Sequence, residues 1–435
     1  MRYISTKGHS IPSIEDALFS GTSTDGGLVM PESIPEVKIN DFSQFLSYQE
    51  FSHQILLPYF AGSSVENELE DIVNKAFNFP LINKDYFEKD LQYSVLELFH
   101  GPTAAFKDFG ARFLSLTMSE ITRKNKNPGI TTILVATSGD TGGAVASAFD
   151  QCPEFKVVVL FPEGRVSPRQ KHQLTCWGDN VTSIEVKGEF DDCQRLVKEA
   201  FSNNELSMKH NLCSANSINI GRLLPQATYY AWSSLKRYKG SGDNTSFIVP
   251  TGNLGNAFAC FIAKEMGFPI DQIIFATNSN KTISDFISTG QWEPRATLPT
   301  LASAMDVGNP SNMERFFHFF DSPETLIDKL QAVSVTDEQI IDQIRSEYQD
   351  NQILCCPHTA TALHVYRGLC DSDKKETHWC IAATAHPSKF ENIVEPIIGE
   401  EIMVPEKLRA LLELDSSFVT IDPELNQLVD IIASA

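Results

Sequence analysis

The sequence predicts an α/β protein of two packed domains, each built on a mainly parallel sheet with helices on both faces. Three observations carry that prediction. The chain has 435 residues, more than one core sustains, because single cores stop growing near ~250–300 residues. From about Ile130 onward, apolar runs of four to eight residues, rich in Val and Ile, alternate with longer stretches of helical period. That alternation is the mark of strands buried on both faces and joined by crossover helices. Three of the runs end in loops suited to holding anions, and open α/β sheets bind ligands at the carboxyl ends of their strands.

Residues 1–95 are mixed, with short helical patterns and the turn cluster STDGG (Ser23 to Gly27); they are expected to pack on the core as a separate segment. Strands are expected at 130–136, 156–161, 247–249, 273–276 and 379–383, and a helix at 221–236. Between that helix and the strand at 247 lies KRYKGSGDNTS, polar and without period, the candidate boundary between a smaller domain (96–240) and a larger one (241–435), or at least a long surface turn. Two amphipathic helices, 406–414 and 423–432, close the chain.

The formal net charge of −21 argues against nucleic-acid or anionic-membrane partners, both of which need a positive footprint. Nine cysteines, an odd number scattered through a long chain, do not make a disulfide framework and fit a reducing cytoplasm. Cys355, Cys356 and His358 cluster in CCPH, but no second cysteine pair stands at zinc spacing, so no metal is expected and the thiols read as structural. The start, MRYISTKGHS, has no apolar region behind its positive charge, and no stretch approaches the ~18 apolar residues of a membrane helix.

The first anion-type loop is VATSGDTGGAVASAF, with Ser138, Gly139, Asp140 and Thr141 between a strand and a small-residue helix. Glycines admit a ligand close to the backbone, and free amides at a helix start favour negative charge; a capped turn with no ligand explains the same residues. The second, IVPTGNLGNAFACF, places Gly252, Asn253, Leu254, Gly255 and Asn256 ahead of a helix. It lacks a P-loop lysine and a dinucleotide fingerprint, so a phosphate monoester is the better ligand. The third, CIAATAHPSKF, puts Thr384 just after a strand and His386 before a proline; by itself a capped turn is the better reading of it. Apart from these stands Lys107 in ELFHGPTAAFKDFGARFL. If Pro102 and Thr103 start a helix, Lys107 lies about a turn inside it among apolar residues, where its charged form is disfavoured and the amine becomes a usable nucleophile and base. On pattern alone, a snorkelling surface lysine paired with Asp108 or Glu97 is the better reading.

FHGPTAAFKDFGARF resembles the cofactor-attachment motif of the fold type II (β-family) pyridoxal-phosphate enzymes. Together with ATSGDTGGA, FPEGRVSPRQ, FDDCQ, SANSINIGR, VPTGNLGNA, AMDVGNPSN, TAHPSKF and the opening STDGGLVMPE, in this order, the chain is similar to the threonine synthases over roughly residues 3–395. The resemblance implies that Lys107 bonds to pyridoxal 5'-phosphate and acts as base on the substrate, with Phe106 beside the ring. It implies that Gly252, Asn253, Leu254, Gly255 and Asn256 cradle the cofactor phosphate and that Thr384 meets the pyridine nitrogen. Ser138, Gly139, Asp140 and Thr141 would hold the substrate carboxylate. A second anion site for the phosphate of O-phospho-L-homoserine would draw on Arg165, Lys171, Asn216, Ser217 and Arg222. The implied reaction gives L-threonine and phosphate from that substrate and water, in a monomer or homodimer. A phospho-lyase or dehydratase releasing 2-oxobutyrate would share the cofactor site, and a non-catalytic relative would lack the lysine. Lys281, in NSNKTISDF, departs from the polar or acidic residue the resemblance leads one to expect; it is either incidental surface variation or an added positive charge near the mouth of the site.

Overall fold

The structure, a computed structural model, describes residues 1–43, 46–88, 91–125, 129–320 and 322–434. Tyr3–Ser5 (β1), Ser10–Ile11 (β2) and Val29–Pro31 (β3) form a small antiparallel sheet. Ile82–Glu88 (β4) and Leu91–Glu97 (β5) form an antiparallel pair. Thr131–Ala136 (β6), Phe155–Pro162 (β7), Val181–Val186 (β8) and Leu212–Cys213 (β9) come next, then Thr245–Pro250 (β10), Ile270–Thr277 (β11), Gln331–Ser334 (β12), His378–Ala383 (β13) and Val419–Ile421 (β14).

Two larger sheets carry the fold. One has the order β12-β11-β10-β13-β5-β4 and is parallel except for β4; the other, β14-β8-β7-β6-β9, is parallel throughout. Period-2 alternation sends neighbouring residues to opposite faces, and both faces are covered. Phe247, Val249, Cys380 and Ala382 enter the largest core cluster, whereas Ile248, Ile381 and Ala383 enter the cluster on the other face. In the five-stranded sheet, Val157 and Val159 face the largest cluster, and Val158 and Leu160 a third. The expected α/β architecture with helices on both faces is therefore present.

The sheets do not divide the chain at 95 and 240. Leu91–Glu97 lies inside the larger sheet, paired with β13, instead of belonging to a separate N-terminal segment. Val419–Ile421 returns to the smaller sheet beside β8, although it lies in the expected larger domain. Nor is KRYKGSGDNTS a linker. The helix Ile220–Ser241 runs through most of it and stops at Gly242, a left-handed C-cap (φ 82°) that donates to Tyr238 O; β10 begins three residues on. Polar composition marked the exposed end of one helix, which a glycine terminates. The N-terminal sheet is pinned to the body by Thr6, whose hydroxyl donates to Glu314, and by buried Arg315, whose Nη2 donates to Val29 O at 3.1 Å and to Ile218 O at 2.7 Å. Among the described residues, no helix is long and apolar enough to cross a membrane.

Candidate active site

In the larger sheet, β10 leads to β11 and β12 on one side while β13 and β5 lie on the other, so the strand order reverses between β10 and β13. Ligands in open sheets bind in the crevice at such a switch point. The carboxyl ends of β10, β13 and β5 lead into the 252–256 loop, Thr384 and the segment before Lys107. These residues line one cleft, so that apolar wall, charged groups and hydroxyls converge at the switch point as a small-molecule site requires.

Lys107 is the first residue of the helix Lys107–Lys124, not a turn inside it. Ala104 takes a left-handed conformation (φ 54°), which no helix continues through, and Ala105 bridges antiparallel to Ala385. Phe106 N–H donates to Thr384 O at 2.8 Å, and His386 N–H donates to Ala104 O at 3.0 Å. This short bridge sets Lys107 and Thr384 side by side. The surface pairing that pattern alone allowed is absent: Asp108 accepts from Thr103 N–H and Oγ1–H at 2.9 and 2.6 Å, and Glu97 pairs with His100. The Lys107 ammonium stands 5.1 Å from the Phe106 ring centroid and 3.7 Å from Asp140 Oδ2. Burial pushes its pKa down to about 8; Asp140 pulls it back up, and Lys389 and Arg222 lower it further.

Asp140 opens the helix Asp140–Phe149, after Gly139 at φ 130°. Burial works against its charge, yet Lys389 first and Lys107 second hold the carboxyl well below its ordinary range. The 252–256 loop turns at Leu254 (φ 61°) into the helix Gly255–Glu265, whose first N–H groups have no intrahelical partner. A Cβ on Gly252 would stand 2.5 Å from Met305 O, so only glycine fits there. Asn253 ties the loop down: its Nδ2 donates to Ser217 Oγ at 2.7 Å and its Oδ1 accepts from Ser311 N–H at 2.6 Å. Asn256 Oδ1 accepts from Tyr229 and Tyr230 hydroxyls, which leaves its buried Nδ2 without a partner. Arg222, also buried, gives Nη1 to Ala215 O and has an unpartnered Nε.

A phosphate-bearing aldehyde fits these residues. The glycine cradle, the helix start and the free Asn256 amide suit its phosphate. The depressed Lys107 amine suits its aldehyde, and the Thr384 hydroxyl offers a neutral partner for a ring nitrogen.

Of the sequence-derived site residues, Phe106, Lys107, Asp140, Thr141, Ser217, Arg222, Gly252, Asn253, Leu254, Gly255, Asn256 and Thr384 line the cleft. Ser138, Gly139 and Asn216 adjoin it without lining it. Arg165 stands outside, exposed and paired with Glu189 at 2.5 Å, and Lys171 is spent on Glu185 at 2.5 Å. Lys281 is surface, 3.9 Å from Asp285, and does not border the cleft. Sequence reasoning passed over Gln226, Met305 and His358, which do line it, and Lys389, which pairs with Asp140 at 2.7 Å. The imidazole Nε2 of His358 accepts from Ala304 N–H at 3.1 Å, and burial pushes its pKa down to about 4. Its place in CCPH drew attention to thiols, which are buried, and away from the ring.

The chain matches the family model for pyridoxal-phosphate dependent enzymes over residues 75–384, and those for the threonine synthase N terminus over 2–77 and C-terminal part over 359–432. It is 37% identical to the threonine synthase of Serratia marcescens over 418 residues, 95% of each chain. The chain belongs to the threonine synthases. The crystal structure of threonine synthase from Escherichia coli matches over 100% of both chains with a TM-score of 0.89 and 35% identity. That of PLP bound threonine synthase from Brucella melitensis matches over 100% of this chain and 99% of that one, with a TM-score of 0.89 and 33% identity. The fold is thus that of the fold type II pyridoxal-phosphate enzymes, and pyridoxal phosphate is the cofactor, as the motifs implied.

Proposed function

We propose that the chain converts O-phospho-L-homoserine and water to L-threonine and phosphate, with loss of phosphate from Cγ and addition of water at Cβ. The observation that carries this reading is the convergence in one cleft of Lys107, Thr384, the 252–256 cradle, the Asp140 loop and a buried arginine. Pyridoxal phosphate supplies the electron sink that lets protons leave Cα and Cβ. N–H groups at the start of Gly255–Glu265 and the Asn256 amide hold the cofactor phosphate. Thr384, which lines the cleft, would offer the pyridine nitrogen a neutral hydroxyl partner, and such a partner would leave that nitrogen unprotonated. Lys107 takes and returns the proton at Cα, a role suited to an amine with a pKa near 8.

The 138–141 loop receives the α-carboxylate at a helix start, where Lys389 already offsets the charge of Asp140. Arg222 and Ser217, with Asn216 beside them, hold the leaving phosphate, and Arg222 brings a buried cation with an open Nε. Arg165, exposed and ion-paired, is given no part. The enzyme works on this small molecule in the cytoplasm as a monomer or homodimer; the net charge of −21 supports independence from nucleic acid and anionic membrane. Incubation with O-phosphohomoserine should yield threonine and phosphate in equal amounts. 2-Oxobutyrate as the main product would overturn the reading.

A further inference from the structure

Lys389 is fully buried, where an ammonium persists only if paired and hydrogen-bonded. Both conditions hold: Nζ lies 2.7 Å from Asp140 Oδ1 and donates to Thr103 O at 2.8 Å. The segment around it is equally fixed, since Ser167 Oγ donates to Lys389 O at 2.7 Å and Arg169 Nη1 to Ser388 O at 2.8 Å. Gln170 Nε2 adds a second claim on Asp140 Oδ1, at 3.0 Å. The other carboxylate oxygen, Oδ2, is 3.7 Å from Lys107 Nζ. One carboxylate thus stands between two lysines, tight against one and loose against the other.

We propose that Lys389 is a positioning residue: it takes Asp140 as its own counter-ion and so leaves Lys107 undercompensated, free to shed a proton and capture the cofactor aldehyde at neutral pH. Capture joins the Lys107 nitrogen to the aldehyde carbon and expels one water, and it requires the unprotonated amine. The remaining groups around Lys107 do not replace Lys389. Arg222, on the helix Ile220–Ser241, stays cationic although burial lowers its pKa to about 10. His358, on Pro357–Gly368, is neutral at pH 7 because burial lowers its pKa to about 4. Asp108, next in the helix, is engaged by Thr103, and burial raises its pKa. Asp140 is the anion nearest Lys107, and Lys389 decides how much of that charge Lys107 feels.

The test strips the full-length protein of cofactor and follows the rate of pyridoxal 5'-phosphate capture against pH by the visible absorbance of the bound form. In Lys389→Met, Asp140 keeps the neutral Gln170 amide but loses the cation held against its Oδ1, so its charge bears on Lys107. The midpoint of the profile should rise by about one pH unit, with capture about tenfold slower at pH 7. Lys389→Arg, which keeps the charge, should stay near wild type, and Asp140→Asn should shift the midpoint down. A Lys389→Met profile with an unchanged midpoint, or slowed equally at every pH, overturns the proposal. If that variant does not fold, Asp140→Asn decides: an unmoved or raised midpoint overturns it equally. Capture needs the cofactor and no substrate, so this result stands apart from the product assay above.

Discussion

At the residue scale, Lys107 and Gly252 make the sharpest demands. Lys107→Ala should abolish the visible band of the bound cofactor and lower threonine formation by ~100- to 10,000-fold or more, the span associated with a lost general base; the spectrum and a coupled phosphate assay read both. Gly252→Ala places a methyl 2.5 Å from the Met305 carbonyl. Backbone cannot swing aside as a side chain can, so overpacking of ~1–3 kcal/mol is expected. Equilibrium titration should show pyridoxal phosphate held at least tenfold more weakly, and an unchanged affinity would contradict the cradle. The two positions differ in how they read from sequence. The glycine loop showed its chemistry locally, because a strand, two glycines and a helix start within a few residues already describe an anion cradle. Lys107 did not: its own neighbourhood fits a surface lysine better, and only the two glycine loops and the motif order singled it out. Lys389 was silent, since what makes it matter is a contact with Asp140 from a distant part of the chain, which no period or spacing encodes.

At the element scale, the helices Lys107–Lys124 and Ile220–Ser241 meet where Gly110 faces Arg222. A Cβ on Gly110 would lie 2.5 Å from Arg222 O and 3.0 Å from its Nε. Gly110→Ala should therefore part the helices, lower the urea midpoint by an amount equivalent to ~1–3 kcal/mol and weaken substrate binding through Arg222, seen as a rise in KM. A change in neither quantity would show that the two helices adjust freely. The five strands expected from Val- and Ile-rich runs all form, the first one residue shorter at its start and the other four lengthened by up to three residues at an end. They were legible because burial on both faces leaves uninterrupted apolar runs. The β4–β5 pair was not: INKDYFE carries the charged and polar residues of the sheet edge that β4 forms, and in LQYSVLE the polar residues interrupt the apolar run that would mark an inner strand. The start of Lys107–Lys124 was misplaced for a similar reason. Pro102 suits a helix start, but the bridge of Ala105 to Ala385 is a tertiary contact that holds the preceding residues out of the helix.

At the scale of the whole molecule, pH acts through buried histidines. Burial is the leading cause that brings His358, His378 and His386 down to about 4, against an ordinary value near 6.5 in the unfolded chain. Between those values the unfolded state binds more protons, so stability is complete above about pH 6.5 and drains away as pH falls toward 4. The melting temperature should hold from pH 8 to 7 and drop steadily from 6.5 to 4.5; a flat profile over that lower window would mean that the rings are protonated in place. The return of Val419–Ile421 to the edge of β8 bears on how a cell makes this chain. During translation, β8 emerges long before its partner is synthesised, and at ~5–20 residues per second the wait is on the order of ten seconds or more. Throughout that interval β8 offers a bare row of amides and carbonyls, open to any extended peptide nearby. The nascent chain therefore needs a chaperone or its own transient contacts to shield that row until the closing residues leave the ribosome.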